Sequence, residues 1–514
     1  MANHGIVILD YGSQFTQLIA RRIRSKGVFS EVLPWNTSRE RALRNQPRGI
    51  ILSGGPASVF EPGAPALPAD LWEWNAPVLA ICYGMQLVGR DLGFEVVRGG
   101  KAEYGHTRIE ADVSHPLFRG TPGEQSVWMS HGDIVRGDGA KGGLRVLATS
   151  GGGVLAAFHH EARDAYAVQF HPEVHHTTHG DRIIENFLFD VCGCERNWSA
   201  GTLVDSMIAD IRAQVGGGRV ICAVSGGVDS SVVACLVDRA VEKNLFCVFV
   251  DTGLLRDGER ELVRDLLGTH LSAPLEVVDA SDRFLERLNG VTDPEEKRRR
   301  IGALFIEVFE EVSTKHGPFD FLAQGTLYPD RIESFSTGGP SVTIKTHHNV
   351  GGLPKNLRFK LVEPLALLFK DEVRAVGERL GLPHEQLRRH PFPGPGLAVR
   401  VLGEVSKEKL DILRHADRIF IDALKEYALY DSVWQAAAIL LPVRSVGVMG
   451  DARTYSFPIV LRAVTSTDGM TADWADLPAE FLRDVSNRII NEVEHVNRVA
   501  YDISSKPPST IEWE

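Results

Sequence analysis

The stretch VICAVSGGVDSSVVACLVD, residues 220–238, runs from a short apolar segment through a glycine- and serine-rich turn into a helical pattern. Val220–Val224 is rich in β-branched residues and reads as a strand buried on both faces. Asp229–Lys243 repeats apolar residues at helical spacing. A strand that turns directly into a helix is the building unit of an α/β fold. The same alternation continues downstream, with strands at Phe246–Val250, Leu275–Val278 and Phe319–Ala323 and a helix at Gly258–Leu267. The turn between the first strand and helix then gains a chemical reading. Glycines let backbone amides approach an anion, serines add hydroxyl donors, and a helix N-terminus favours negative charge. The Gly-Lys-Ser/Thr ending of a Walker loop is absent, which argues against an ordinary γ-phosphate kinase loop.

The first third of the chain repeats the pattern. Ile6–Leu9, Gly49–Leu52, Val78–Ile81 and Ala165–Phe170 read as strands; Gln14–Ser25, a segment from near Tyr83, and Asp181–Val191 read as helices. Cys194–Gly201 is polar and irregular and reads as a linker, followed by a helix at Thr202–Gln214. Residues 337–354 are rich in Gly, Thr and His without a clean period, the mark of a functional loop or of disorder. Around Gly381–Pro395 the composition shifts to Pro and Gly, and a mixed segment runs to the end. The fold class expected is α/β: two doubly wound, mostly parallel-sheet domains, residues 1–195 and 196–388, followed by a small α+β C-terminal domain, residues 389–514. A length of 514 residues agrees with about three domains at roughly 150 residues each.

Composition excludes several classes. The net charge is −11, whereas nucleic-acid binders usually carry a basic balance because phosphate neutralisation supplies their affinity. The basic run Lys297–Arg300 reads as a solvated helix face or as help in binding a small phosphate. No apolar run approaches the ~20 residues of a membrane span, and no secretory signal is visible at the start. Six scattered cysteines fit a reducing cytoplasm better than a disulfide framework. Neither nucleic acid nor membrane is expected as a partner. His175, His176 and His179 lack a further ligand at metal spacing, and Cys192-Gly-Cys194 has no second pair.

Ala80-Ile-Cys-Tyr-Gly-Met-Gln86 sits where a strand turns into a helix. A nucleophile on such a turn stands above the sheet edge, near amides that can stabilise an oxyanion. The helix start also favours the Cys82 thiolate. His171-Pro-Glu173 ends a later strand, and side chains two apart on an extended segment share a face. That supplies a base and its orienting acid. Ser130-His-Gly-Asp133 lies between two strand-like runs; a carboxylate there could bind an α-ammonium, or the segment is a simple turn. Residues 5–192 resemble the class I, or triad, glutamine amidotransferases. The resemblance implies that Cys82 attacks the glutamine amide, that His171 is base and acid, and that Glu173 orients it. It implies oxyanion donors at Gly55 and Tyr83 and glutamine contacts at Gln86 and Asp133. Many members have Gly where this chain has Ala80, a one-methyl change the elbow is expected to accept.

Ser225-Gly226-Gly227-Val228-Asp229-Ser230-Ser231 is similar to the loop of the N-type ATP pyrophosphatases. The resemblance implies cleavage of ATP between the α and β phosphates, with Asp229 serving Mg²⁺. Asp251 and its neighbours end a strand where an α/β sheet binds nucleotides. Lys370 and Asp371 open a charged helix and could hold phosphates and Mg²⁺. Lys345, His347 and His348 suit a lid that excludes water. The segment from Tyr328 to Ser334 could line the pocket.

The order of these parts, the run His390-Pro-Phe-Pro-Gly-Pro-Gly-Leu397, the segment Ile344–Val350 and the terminus Lys506–Glu514 resemble the glutamine-hydrolysing GMP synthetase family over essentially the whole chain. The resemblance implies that XMP is adenylated by ATP and aminated by ammonia, and that a homodimer forms through the C-terminal domain. It implies XMP contacts at Arg453, Lys506 and Glu512, with Arg331 as a further candidate. An NAD synthetase or asparagine-type ligase would use similar modules, but domain order and the terminus argue against it. A tRNA-modifying thiolase would need a basic face, and a regulatory XMP sensor would not need a full catalytic set.

Overall fold

The computed structural model describes residues 4–136, 143–330, 359–449, 452–466 and 471–514. The expected lid residues Lys345, His347 and His348, the loop 337–354 that carries them, and Arg331 lie outside that set. The described residues fall into two compact units, one running to Leu203 and including Pro329 and Asp330, the other formed by Val204–Tyr328 and the residues from 359 onward.

The first unit carries β1 (Ile6–Asp10), α1 (Thr16–Ser25), β2 (Ser30–Pro34), α2 (Arg39–Leu43), β3 (Gly49–Leu52), β4 (Val78–Ile81), α3 (Tyr83–Asp91), β5 (Glu95–Ala111), β6 (Glu124–Arg136), β7 (Leu144–Ser150), β8 (Leu155–His160), β9 (Ala165–Val168) and α4 (Gly180–Glu185). One sheet of order β2-β1-β3-β4-β9-β8-β7-β5-β6 joins them. The pairs from β2 to β9 are parallel; those from β9 to β6 are antiparallel. Every residue of β3, β4 and β9 is buried, as continuous apolar runs require when helices cover both faces.

The second unit opens with α5 (Ala200–Val215), whose first turn belongs to the first unit. It continues with β10 (Val220–Ala223), α6 (Val228–Val241), β11 (Leu245–Asp251), α7 (Glu259–His270), β12 (Leu275–Asp279), α8 (Ser281–Leu288), α9 (Pro294–His316), β13 (Phe321–Ala323), β14 (Lys360–Val362), α10 (Lys370–Arg379) and α11 (His384–Leu387). Its sheet, β12-β11-β10-β13-β14, is parallel throughout. The strand order reverses between β10 and β13, so the phosphate-type turn after β10 lies at the switch point where such sheets bind ligands. The remaining elements are α12 (Lys407–Glu426), β15 (Gln435–Leu440), β16 (Ser445–Met449), β17 (Ala452–Thr465), β18 (Asp473–Trp474), α13 (Ala479–Glu492) and β19 (Val496–Tyr501), with β15, β16, β18 and β19 all pairing with β17. One apolar core runs through both parts of this unit, from Ile221 and Val248 to Phe420, Leu461 and Phe481.

The basic run on α9 corrects the expectation of a solvated face. Lys297 is fully buried, and its ammonium donates to the Ala398 and Val401 carbonyls at 3.1 and 2.8 Å and to the Glu514 carboxylate. Arg298 donates to the Glu514 backbone carbonyl, while Arg299 and Arg300 pair with Glu296 one turn back. The run ties the last residue of the chain to α9.

Candidate active sites

β4 ends at Ile81, and Cys82 turns the chain into α3 with φ of +53° and ψ of −105°. A non-glycine residue in that region is strained, and the surrounding structure must hold it there. Two contacts do so: the Cys82 amide donates to the Val168 carbonyl at 2.8 Å, and the thiol donates to the Ser130 carbonyl at 3.5 Å. Gly84 lets the turn lie against β3, since a Cβ there would stand 2.8 Å from the Leu52 carbonyl oxygen. Helix α3 begins at Tyr83, and its first intrahelical bond runs from Gln86 to the Cys82 carbonyl. The amides of Tyr83 and its next neighbours therefore lack an i−4 acceptor, as at any helix start.

His171 and Glu173 reach this elbow by another route than the extended segment expected. β9 stops at Val168, and residues 172–173 form a turn. Within it His171 Nδ1 lies 2.8 Å from Glu173 Oε1. The turn is braced from several sides: the His171 amide donates to Trp128 O at 3.0 Å, Thr177 Oγ1 to His171 O at 2.6 Å, and Arg22 Nε to Glu173 O at 3.1 Å. Phe15 sets its ring edge-on to the imidazole at 5.2 Å. Burial alone would lower the His171 pKa, but the Glu173 carboxylate and the bonds from Cys82 and Glu173 outweigh it and push the group up to about 10. The imidazolium form beside a thiol is the state needed to protonate a departing amine. Nothing in the sequence marked Arg22, Thr177, Trp128 or Phe15 as braces, because each acts through a backbone group or a ring contact, and all but Thr177 come from far away in sequence.

Gly54, one residue before the expected oxyanion donor Gly55, faces this centre: a Cβ on it would stand 3.1 Å from His171 Cε1 and 3.6 Å from Cys82 Cβ. Gly55 packs on Tyr11, whose carbonyl oxygen would be 2.7 Å from a Cβ. Gln86 is buried, and its amide donates to the Asp133 backbone carbonyl at 3.0 Å. Asp133 lies on β6, not in a simple turn, and accepts from Ser58 Oγ at 2.5 Å. His176 packs its ring 4.5 Å from that of Trp128.

In the second unit, β10 leads into Ser225–Ser231 and α6. Gly226 adopts φ of +75°, and a Cβ there would strike Val263 at 2.3 Å. The loop holds itself through serines: Ser230 Oγ lies 3.1 Å from Ser225 Oγ and accepts from the Ser225 amide at 3.2 Å, and Ser231 Oγ donates to Gly227 O at 2.9 Å. Gln386 Nε2 and Arg389 donate to the Gly226 carbonyl at 2.8 and 2.7 Å, fixing the amide planes from behind; sequence reading did not single out either. Val228 is the first residue of α6. Lys370, first residue of α10, holds both carboxylate oxygens of Asp229 at 2.6 Å, while Asp371 beside it is exposed. Asp251 accepts from the Gly253 amide at 2.9 Å and from Arg260 at 3.2 Å.

The expected nucleotide contacts of the last third stand on separate elements. Glu512 is engaged by Arg400, whose Nε and Nη2 donate at 3.1 and 2.8 Å, and by Gln435. Burial would raise the Glu512 pKa, but Arg400 outweighs it and holds the carboxyl below its ordinary range. Arg453 is exposed on β17 opposite Val448 of β16. Lys506 exchanges backbone hydrogen bonds with Ala472 at 2.8 and 3.1 Å.

Known proteins place this pair of centres in context. The family model for glutamine amidotransferase class-I matches residues 7–191, and that for the GMP synthase C terminal domain matches residues 422–513. The GMP synthase [glutamine-hydrolyzing] of Thermomicrobium roseum is 56% identical over 512 residues, 99% of this chain and 96% of the relative. Its counterpart in Nitratiruptor sp. is 55% identical over 99% of each chain. That of Parasynechococcus marenigrum is 54% identical over 99% of this chain and 98% of its own.

Proposed function

The chain belongs to the glutamine-hydrolysing GMP synthases, and from that membership we propose how its residues divide the work of making GMP from glutamine, ATP and XMP. It is a glutamine-dependent, ATP-consuming ligase. In the first unit the Cys82 thiolate, paired with the His171 imidazolium, attacks the side-chain carbonyl carbon of glutamine. The amides of Tyr83 and Gly55 receive the oxyanion, and His171 gives its proton to the departing nitrogen, so ammonia leaves and a glutamyl thioester remains. Water then attacks the thioester carbon, His171 takes the water proton, and glutamate is released with the Cys82 thiolate–His171 imidazolium pair restored. Asp133 takes the α-ammonium of glutamine, and Gln86 holds the strand that carries it.

In the second unit the amides and hydroxyls of Ser225–Ser231 cradle the ATP phosphates. The C2 oxygen of XMP attacks the α-phosphorus and pyrophosphate departs. Ammonia attacks C2, and AMP leaves with the oxygen. Adenylation is needed because the ring oxygen is a poor leaving group and a phosphate is a good one. Among the described residues no cluster of three or more metal-ligating side chains occurs. Mg²⁺ ordinarily takes one or two carboxylates and completes its shell with substrate phosphates and water, so Asp229 beside the phosphate loop is a fitting donor once Lys370 releases it. When bound, the ion would offset the negative charge of the phosphates. Lys370 would turn to the pyrophosphate, assisted by the lid residues Lys345, His347 and His348, and Asp371 at the helix start would serve Mg²⁺. Arg331, Arg453, Lys506 and Glu512 are the XMP contacts.

A homodimer through the C-terminal domain, residues 389–514, is supported by the exposed apolar face of the β16–β17 hairpin, where Val446, Val448 and Tyr455 are 53%, 73% and 61% exposed. Such patches mark association surfaces. No helix among the described residues is long and apolar enough to cross a membrane, and the six free cysteines fit the reducing cytoplasm.

The observation that carries this reading is a buried Cys–His–Glu constellation in one unit and a glycine- and serine-rich strand–helix loop in the other. Cys82→Ala tests the division. It should abolish GMP formation driven by glutamine and leave that driven by ammonium salt within about 2-fold of the parent, as expected when only the nucleophile is lost. Loss of both activities in a folded variant would count against two separate centres.

A further inference from the structure

A cavity of about 170 Å³ opens in the second unit, lined by Arg374, Arg388, Arg389 and His390 on one part of its wall and by residues 430–434 and the end of β17 on the other. Two of these groups are already committed. Arg389 donates to the Gly226 carbonyl at 2.7 Å and pairs with Glu259. His390 bonds the Tyr430 carbonyl at 2.9 Å and stacks on its ring at 3.9 Å. Arg374 and Arg388 are not committed. Neither guanidinium makes an ion pair or a side-chain hydrogen bond among the described residues, and Arg374 Nε is buried without a partner. Burial lowers the pKa of Arg374, and the charge of Arg388 beside it lowers it further; Asp229 and Asp371 act the other way through space without pairing with it. Asp431, also on the lining, pairs with neither arginine.

Two like charges facing one cavity, one with a buried donor unmet, form a costly arrangement unless an anion completes it. The buried arginines Arg400 and Arg462 of this unit have found their carboxylates, Glu512 and Asp502. The exception lies where the chemistry would use it. Arg374 follows Lys370 by one turn of α10, and Lys370 holds the acid of the phosphate loop. A guanidinium fork matches phosphate oxygens in charge and in geometry.

We propose that Arg374 and Arg388 form an anion subsite that receives a phosphate group of a nucleotide substrate. The subsite rests on the GMP synthase reading and adds to it residues that no motif marks. Two phosphates share the chemistry, the 5′-phosphate of XMP and the terminal phosphates of ATP, and kinetics separates them. The assay is GMP synthesis by the full chain from XMP, ATP, Mg²⁺ and ammonium salt, with KM measured for each nucleotide in R388Q, R388E, R374K and the double variant R374Q/R388Q. Arg388 is exposed, so folding is not at stake in its variants. The KM for one nucleotide should rise about 10-fold in R388Q, with kcat within about 3-fold, as for the loss of one charge-assisted hydrogen bond. It should rise further in R388E and less in R374K, an order that a purely structural role would not produce. A rise confined to XMP identifies the monophosphate; a rise confined to ATP identifies the polyphosphate. Both KM values within about 2-fold of the parent in R374Q/R388Q would overturn the subsite. A parent chain that makes no GMP at all would instead overturn the reading on which the subsite rests.

Discussion

The His171–Glu173 contact decides what the first centre can do. The imidazole is buried, and burial alone would strip its proton near neutral pH. The carboxylate 2.8 Å from Nδ1 reverses that and pushes the pKa up to about 10. A raised pKa favours the protonated form, so this stabilisation of the folded unit is complete below about pH 6.5 and fades as pH rises through about 10. Replacing Glu173 with Gln removes the charge and keeps the shape. Glutaminase turnover should fall by about 10² to 10⁴, the range seen when an orienting acid is lost. The alkaline limb of its pH profile should also move to lower pH, because His171 then loses its proton sooner. An unshifted limb, measured as glutamate release from pH 6 to about 10.5, would show that Glu173 does not control that proton. The triad was legible in the sequence because its members stand in two compact motifs. Their braces were not, since Trp128, Thr177 and Arg22 contribute through the backbone or to it. Glu512 shows the opposite case: its carboxylate could be seen, but not its engagement by Arg400 and Gln435, which come from 112 and 77 residues away.

At the level of elements, the strand-to-helix turns position both centres, and each depends on close backbone approach. Gly84 is the sharpest case, with Leu52 O and Leu52 Cβ each 2.8 Å from a Cβ placed there. Both atoms belong to a fully buried strand that cannot give way. Gly84→Ala should therefore shift the elbow and lower glutaminase activity at least about 10-fold, since small misplacements of a nucleophile are costly. Ammonium-driven GMP synthesis should be unchanged, and the two rates measured on one preparation check it. The parallel strands that are continuous apolar runs between turns were read with near-correct limits; β2 and β14, which carry Glu31 and Lys360, were not read. The antiparallel half of the first sheet, β5 to β8, went unread. β5 spans 17 residues with an irregularity between Arg98 and Glu103, and its alternating pattern around Gly99 and Gly100 resembles loop. The turn that carries His171 reads as strand because the apolar Phe170 follows β9 with only Gln169 between them.

Across the whole molecule, one chemistry is proposed for each of the two units, with ammonia as the product of one and a substrate of the other. In the proposed reading, the first centre makes a nitrogen nucleophile without ATP, and the second makes an adenylated electrophile without Cys82. The two strand–helix sheets were legible because each carries its own loop motif. The sharing of one apolar core by the residues after Val204 was not, because the segment around Leu397–Val399 packs on α9, and α12 packs on that segment, through side chains that no local period reveals. The claim on which all of this depends is cleavage of ATP between its α and β phosphates by the loop at Ser225–Ser231. The direct measurement is the phosphorus balance of a reaction containing XMP, ATP, Mg²⁺ and glutamine, followed by ³¹P NMR. The account predicts AMP and pyrophosphate in amounts equal to the GMP formed; GMP accompanied by ADP and orthophosphate would contradict it.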